Sequence, residues 1–207
     1  MKGSHSLLFL VLALQTVWSQ KTLSKVLEDP SLTQIHVLAA QVNTLRLKPS
    51  PSKELLVNAR LNGEYSPHQM IVFSRKGNTL FIGPDLSATF ELPNDKLSAH
   101  KIWSIDLAVE IPAYLEVYIE GGNTQINAEG IFEKLQIALK DGLCVLEEVG
   151  NIVQVNSLRA PIVLRQTKGV IDAKTTYGHV DFFAIPSGDS KIVLRSLHGD
   201  IKVLTKD

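Results

Sequence analysis

The sequence predicts an all-β protein: a parallel β-helix or roll preceded by a leading β-strand region, with a β-sandwich as the alternative. Three observations carry this. Apolar and polar side chains alternate at a period of two through most of the chain, three-four helical spacing is nearly absent, and glycines punctuate the second half at intervals near ten residues.

In chain order, a single early charge, Lys2, precedes the apolar run Leu7 to Leu14 and the polar break Gln15-Thr16. This pattern predicts a signal peptide over residues 1–19, with Val17 and Ser19 placed for cleavage before Gln20. Eight apolar residues fall short of the roughly 20 that a spanning helix needs, so a retained anchor is disfavoured. No cysteine directly follows the run, which excludes lipid attachment at a mature N-terminal cysteine. No later run is long enough to cross a bilayer, and the expected product is exported: periplasmic, cell-surface or secreted. Residues 20–34 form a linker with a short helix expected over Thr22 to Glu28, stopped by Asp29-Pro30. A second short helix is expected at Asn94 to Ala99.

Residues 35–112 form the leading region. Ile35-His36-Val37 and Val42 to Leu47 alternate as half-buried strands, and Pro112 marks the end of the region. The repeat stack occupies residues 113–207, opening with Leu115-Glu116-Val117-Tyr118-Ile119 and Leu135-Gln136-Ile137-Ala138-Leu139. Gly121-Gly122-Asn123 is a turn between Ile119 and Ile126. Glycines stand at 130, 142, 150, 169, 178, 188 and 199, and Ala160-Pro161 takes the place of one missing from the series, giving intervals of 8 to 12 residues. Short apolar alternations follow most of these breaks, among them Ile162 and Leu164, Ile171 and Ala173, Val180 and Phe182, and Ile201 and Val203. Only Asp141-Gly142 has the two-residue hairpin signature. The other glycines lead directly into strands, as expected of corners that need positive φ, with two units making one full turn of a solenoid.

Leu107-Ala108-Val109-Glu110-Ile111-Pro112, Leu115-Glu116-Val117 and the glycine-punctuated strands to Val203 resemble the bacterial putative-adhesin family, a domain of unknown function with β-strand repeats related to the head domain of auto-transporter adhesins. Leu55 to Gly63 and Lys76 to Ile82 resemble that family's leading strands, so the resemblance covers roughly residues 35–204. Ala160-Pro161 and Glu147-Glu148 depart from its rhythm. The resemblance implies a right-handed parallel β-helix on or outside the cell envelope, and it implies no activity.

Composition narrows function further. With 21 basic and 21 acidic residues the formal net charge is zero, which argues against nucleic-acid binding. The average hides a polarity: eight acids against two bases from Glu110 to Gly150, and eight bases against five acids from Asn151 to Asp207. If the turns of chain stack in sequence order, the basic stretch lies at an open end beside Lys202 and Lys206. There it protects an exposed edge and favours weak head-to-tail self-association. Cys144, the single cysteine, has no internal partner, and within Leu143-Cys144-Val145-Leu146 it is expected to be a small buried hydrophobe.

No nucleophile elbow, phosphate loop or zinc helix is present in the sequence, and no catalytic residue, metal or cofactor is assigned. Asp172, Asp181 and Asp200 are the candidates for general acid and base chemistry: Asp172 and Asp181, nine residues apart, fall half a turn from each other on different faces, whereas Asp181 and Asp200, 19 apart, stack one turn from each other and, with His179 and His198, are the candidates for a weak cation site. Solvated strand positions explain them more simply. Tyr65, Trp103, Tyr114, Tyr118 and Tyr177 are scattered and assigned to core or strand-end packing. The functional expectation is a non-catalytic, adhesin-like module that presents a repeat surface to an envelope protein, a glycan or itself. The alternatives are a carbohydrate-active β-helix enzyme and a glycolipid carrier with an open apolar seam along Val117, Ile137, Val155 and Leu164.

Overall fold

The computed structural model describes residues 21–63, 68–86 and 103–206. The expected signal peptide, Tyr65 and the expected helix at Asn94 to Ala99 lie outside the described residues. Among the described residues the protein is all-β, with no helix and therefore none long and apolar enough to cross a membrane. The strands are β1 (Lys21–Glu28), β2 (Gln34–Ala39), β3 (Thr44–Ser50), β4 (Glu54–Gly63), β5 (Gln69–Lys76), β6 (Thr79–Leu86), β7 (Trp103–Pro112), β8 (Glu116–Ser157), β9 (Ile162–Gln166), β10 (Val170–Thr175), β11 (Val180–Phe182), β12 (Lys191–Ser196) and β13 (Ile201–Thr205).

The 42 residues of β8 do not run straight. At about 3.3 Å per residue, positions 18 apart would be about 60 Å from each other. Yet Gln136 Nε2 donates to Gln154 Oε1 at 3.3 Å, and Asn151 Nδ2 donates to the Phe132 carbonyl at 2.9 Å. β8 therefore winds back over itself with an advance near 18 residues, which also separates the paired Cys144 and Ile162.

Parallel pairing aligns successive passes of the chain in two rows. One row sets Thr79, Gln34 and Glu116 side by side and, further along, Ile152, Lys191 and Val170. The other sets Asp106, Thr44 and Gln125 side by side and, further along, Cys144, Ile162, Ile201 and Val180. At the N-terminal end the ladder turns antiparallel, with β4 on β7, β1 on β4 and β5 on β6. Inward positions then stack by identity of phase: Ile35 on Leu80 and Val117, Val155 on Leu194, Ile162 on Ile201, all in one buried apolar cluster. Cys144 belongs to it, fully buried on Ile162, and burial pushes its thiol pKa up to about 12.

Three expectations change. Thr22 to Glu28 is a strand, because Leu23 and Leu27, four residues apart, share a face in either a helix or a strand, and the open edge of β4 supplies the hydrogen bonds that decide for the strand. Val117, Ile137, Val155 and Leu164 are between 0 and 1% exposed, so the proposed seam is packed interior and the carrier reading falls.

Third, the passes do not stack in sequence order. β12 lies between β8 and β10, and β13 lies between β9 and β11. Residues 183–190 double back to allow this, held by Gly169 N donating to the Pro186 carbonyl at 2.9 Å. Ile192, Leu194, Ile201 and Val203 thereby reach full burial, which the smaller Ala173 and the three-residue β11 would not supply in the same place. Lys202 faces Asp181 across the pair, and Lys206 Nζ lies 2.9 Å from Glu147 Oε1. The basic strand is thus enclosed, and the premise for head-to-tail contact through it is lost.

The corners work by close approach as well as by φ. A Cβ on Gly199 would lie 2.2 Å from the Ala160 carbonyl oxygen, and one on Gly178 would lie 2.6 Å from the Gly199 carbonyl oxygen, although neither glycine is left-handed. Ala160 therefore sits beneath glycines in one stack. Each of these corners carries a hydroxyl three residues earlier: Ser157 Oγ donates to the Ala160 carbonyl at 2.6 Å, Ser196 Oγ accepts from Gly199 N at 2.8 Å, and Thr175 Oγ1 accepts from Gly178 N at 3.2 Å.

Candidate binding face

Along one row, the position between the two inward apolar residues of each strand points outward. In register these are Phe81, His36 and Tyr118, followed by Gln136 and Gln154 at the 18-residue advance within β8. Alternation explains why: Ile35 and Val37, Val117 and Ile119, Leu135 and Ile137, and Val153 and Val155 fill the core on either side.

The outward groups form two linked halves. The His36 ring centroid is 5.1 Å from that of Phe81, tilted, and 6.0 Å from that of Tyr118, edge-on. His36 Nε2 lies 3.0 Å from Glu120 Oε1. Tyr118 donates its hydroxyl to Glu116 Oε2 at 2.7 Å and accepts from Lys134 Nζ at 3.1 Å, with Lys134 also 5.3 Å from the tyrosine ring centroid. Gln34 Nε2 reaches the same carboxylate oxygen at 3.5 Å, and Thr79 donates to Gln34 Oε1 at 3.1 Å. Glu116 is held below the usual carboxylate range, first by the Tyr118 hydroxyl and then by the Lys134 charge, while Lys134 is held above its ordinary value chiefly by bonding to Tyr118. Beside this network a shallow depression of ≈ 230 Å³ is lined by His36, Tyr118, Glu120, Gln136, Gln154 and Asn156.

The arrangement is a rigid aromatic and amide surface. Tyr118 and Glu116 are committed to fixed partners, which locks the ring, whereas Asn156 and Glu120 are exposed beside it. Glu116 and Glu120 stand four residues apart in one strand, their Cα positions about 13 Å apart, and each is held by a different partner, Glu116 by Tyr118 and Glu120 by His36. Glu120 lines the open depression and Glu116 does not. Among the described residues no group of three or more metal-ligating acids, histidines or cysteines converges.

The residues singled out in the sequence go elsewhere. Asp181 and Asp200 are not stacked: Asp181 pairs with Lys202, and Asp200 Oδ1 accepts from His179 N at 2.8 Å. Asp172 is bound by Arg195 and lies below its ordinary pKa for that reason first. His198 stacks on Tyr177 with centroids 4.9 Å apart. Sequence reasoning assigned Tyr118 to packing and did not single out His36, Gln136 or Gln154 as functional. The signal was present, since Tyr118, Gln136 and Gln154 recur at 18-residue steps, each flanked by two core residues.

No protein-family model matches the chain, and no curated protein matches it either. Among solved structures it is similar to a putative cell adhesion protein from Clostridium sporogenes, at 14% identity with a TM-score of 0.60, covering 91% of this chain and 100% of that one. It also aligns with a putative adhesin from Bacteroides fragilis at 14% identity and a TM-score of 0.41, over 91% of this chain and 98% of that one. At such identity the first likeness is one of fold alone, and the chain shares an all-β architecture with a protein named for cell adhesion.

Proposed function

We propose that this protein is a non-catalytic, exported, adhesin-like module that binds glycan on the face built from His36, Tyr118, Gln136 and Gln154. The two rows of parallel strands are taken as a right-handed β-solenoid, the hand implied by the family resemblance and usual for parallel crossovers, with residues 35–112 as the leading region and 113–207 as the repeat stack. The observation that carries the ligand class is the outward row itself. Fixed aromatic rings offer an apolar surface to the C–H face of a sugar ring, while amides and carboxylate beside them offer paired donors and acceptors for adjacent hydroxyls. The commitment of Glu116 to Tyr118 and Lys134 and the open surface support recognition without hydrolysis.

The test is a glycan array followed by calorimetry on the hits, with wild type, Tyr118→Ala and Gln154→Ala. Binding should weaken about tenfold or more in each variant, consistent with roughly 1–3 kcal/mol for removing a ring or a bonded amide at a small site. A bound glycan whose affinity is unaltered by both changes would overturn the assignment of the face, and hydrolysis of that glycan would overturn the non-catalytic reading.

A further inference from the structure

The last pass in space is β10 and β11, each with a single strand partner among the described residues, β12 and β13 respectively. Their outer backbone edges are open. Their inward residues are also incompletely covered among the described residues: Ile171, Ala173 and, from the returning segment, Ile185 pack against the core but stay partly exposed. Ile192, Leu194, Ile201 and Val203 are 0% exposed, whereas the residues in register with them on the terminal pass are not: Ile171 and Ala173 are half-buried, Val180 is 39% exposed and Phe182 is 49% exposed. Phe183 adds another exposed ring at 59%. The core of the molecule therefore runs out through this end unfinished, an arrangement that invites strand pairing with another chain.

From this edge we infer that two copies of the protein pair tail to tail across β10 and β11 about a two-fold axis. The sequence of β10, Val170-Ile171-Asp172-Ala173-Lys174-Thr175, is complementary to itself when reversed about Ala173. Antiparallel pairing on that centre sets Asp172 of each copy opposite Lys174 of the other, an opposite-charge cross-strand pair repeated twice by symmetry. It keeps Ile171, Ala173 and Thr175 on the inward side of both copies, so each unfinished core covers the other. Asp172 is pre-set by Arg195, and Lys174, 72% exposed, lies 3.7 Å from it on the same surface. Head-to-tail stacking lacks this symmetry and would extend without closing.

Sedimentation equilibrium on the full chain should show a closed dimer that stops at two. Phe182→Lys, a change at an exposed position, should weaken association about 30-fold or more, while its circular dichroism and its unfolding midpoint, measured at dilutions where both proteins are monomeric, stay as in wild type. Ala173→Cys should cross-link as a disulfide dimer under mild oxidation, because only this register brings that position opposite itself. A monomer at all concentrations, an open ladder of larger species, or a dimer indifferent to Phe182→Lys and not cross-linked by Ala173→Cys would each overturn the inference. None of these readouts depends on glycan binding.

Discussion

Gly199→Ala is expected to be costly even though the residue is not left-handed. The new Cβ would lie 2.2 Å from the Ala160 carbonyl oxygen, 2.6 Å from its carbon and 2.8 Å from the Arg159 carbonyl oxygen. Non-bonded contacts are optimal near about 3.5 Å, so adjacent passes would have to part by about 1 Å. The bonds strained are those from Ile162 N to the Asp200 carbonyl and from His198 N to the Leu158 carbonyl, both 2.9 Å. Two hydrogen bonds at about 1 kcal/mol each, plus the cost of leaving groups unpaired in a closed corner, give a loss of about 3 kcal/mol. Gly77→Ala is the comparison. Gly77 has φ of +62° but nothing within 4 Å of an added Cβ, so only left-handed strain of about 1 kcal/mol applies. With a urea dependence of about 2 kcal/mol per molar, the unfolding midpoints should fall by about 1.5 M for Gly199→Ala and about 0.5 M for Gly77→Ala. Equal losses, or the reverse order, would refute the claim that the corner glycines are required by close stacking.

Two further predictions follow from ionisable groups. With its thiol pushed up to about 12 and no exposure, Cys144 should react with iodoacetamide near pH 8 only after unfolding in urea; prompt full labelling of the native protein would contradict its burial. Because the folded pKa of Glu116 is depressed, its stabilising contribution is complete above the ordinary value of 4.5 and is lost as pH falls through the folded value. Glu116→Gln should therefore unfold at lower urea than wild type at neutral pH and converge with it in acid, and a gap that persists unchanged to about pH 3 would show that the carboxylate charge is not its source.

Alternation of apolar and polar side chains made the all-β character legible. Ala160 was recognised as a substitute for glycine, and it does lie in the corner stack. What eluded the sequence had physical reasons. Leu23 and Leu27 fit two secondary structures, and the choice was made by the distant edge of β4. The order of passes depends on which strand fills a gap best, Ile192 and Leu194 against Ile171 and Ala173, a comparison between segments that are all apolar in the same rhythm. The candidate face was hidden for another reason: its members are ordinary outward residues taken singly, and only the stacking of Tyr118, Gln136 and Gln154 over one another makes a surface of them. Corner hydroxyls were missed for want of aligning Ser157-Leu-Arg-Ala160, Thr175-Thr-Tyr-Gly178 and Ser196-Leu-His-Gly199.

The placement of β12 and β13 between older neighbours has a consequence for the order of assembly. During synthesis β10 and β11 emerge before the strands that separate them from the rest of the molecule, and for that interval the edges of Ile152 and Ile162 are open to them. Any pairing made then has to be released when residues 191–205 arrive. The chain is completed from within, as an arch is by its keystone, so a released chain cut short near residue 190 should leave β10 and β11 free to take the places of β12 and β13, a fold altered in its arrangement as well as short in its length.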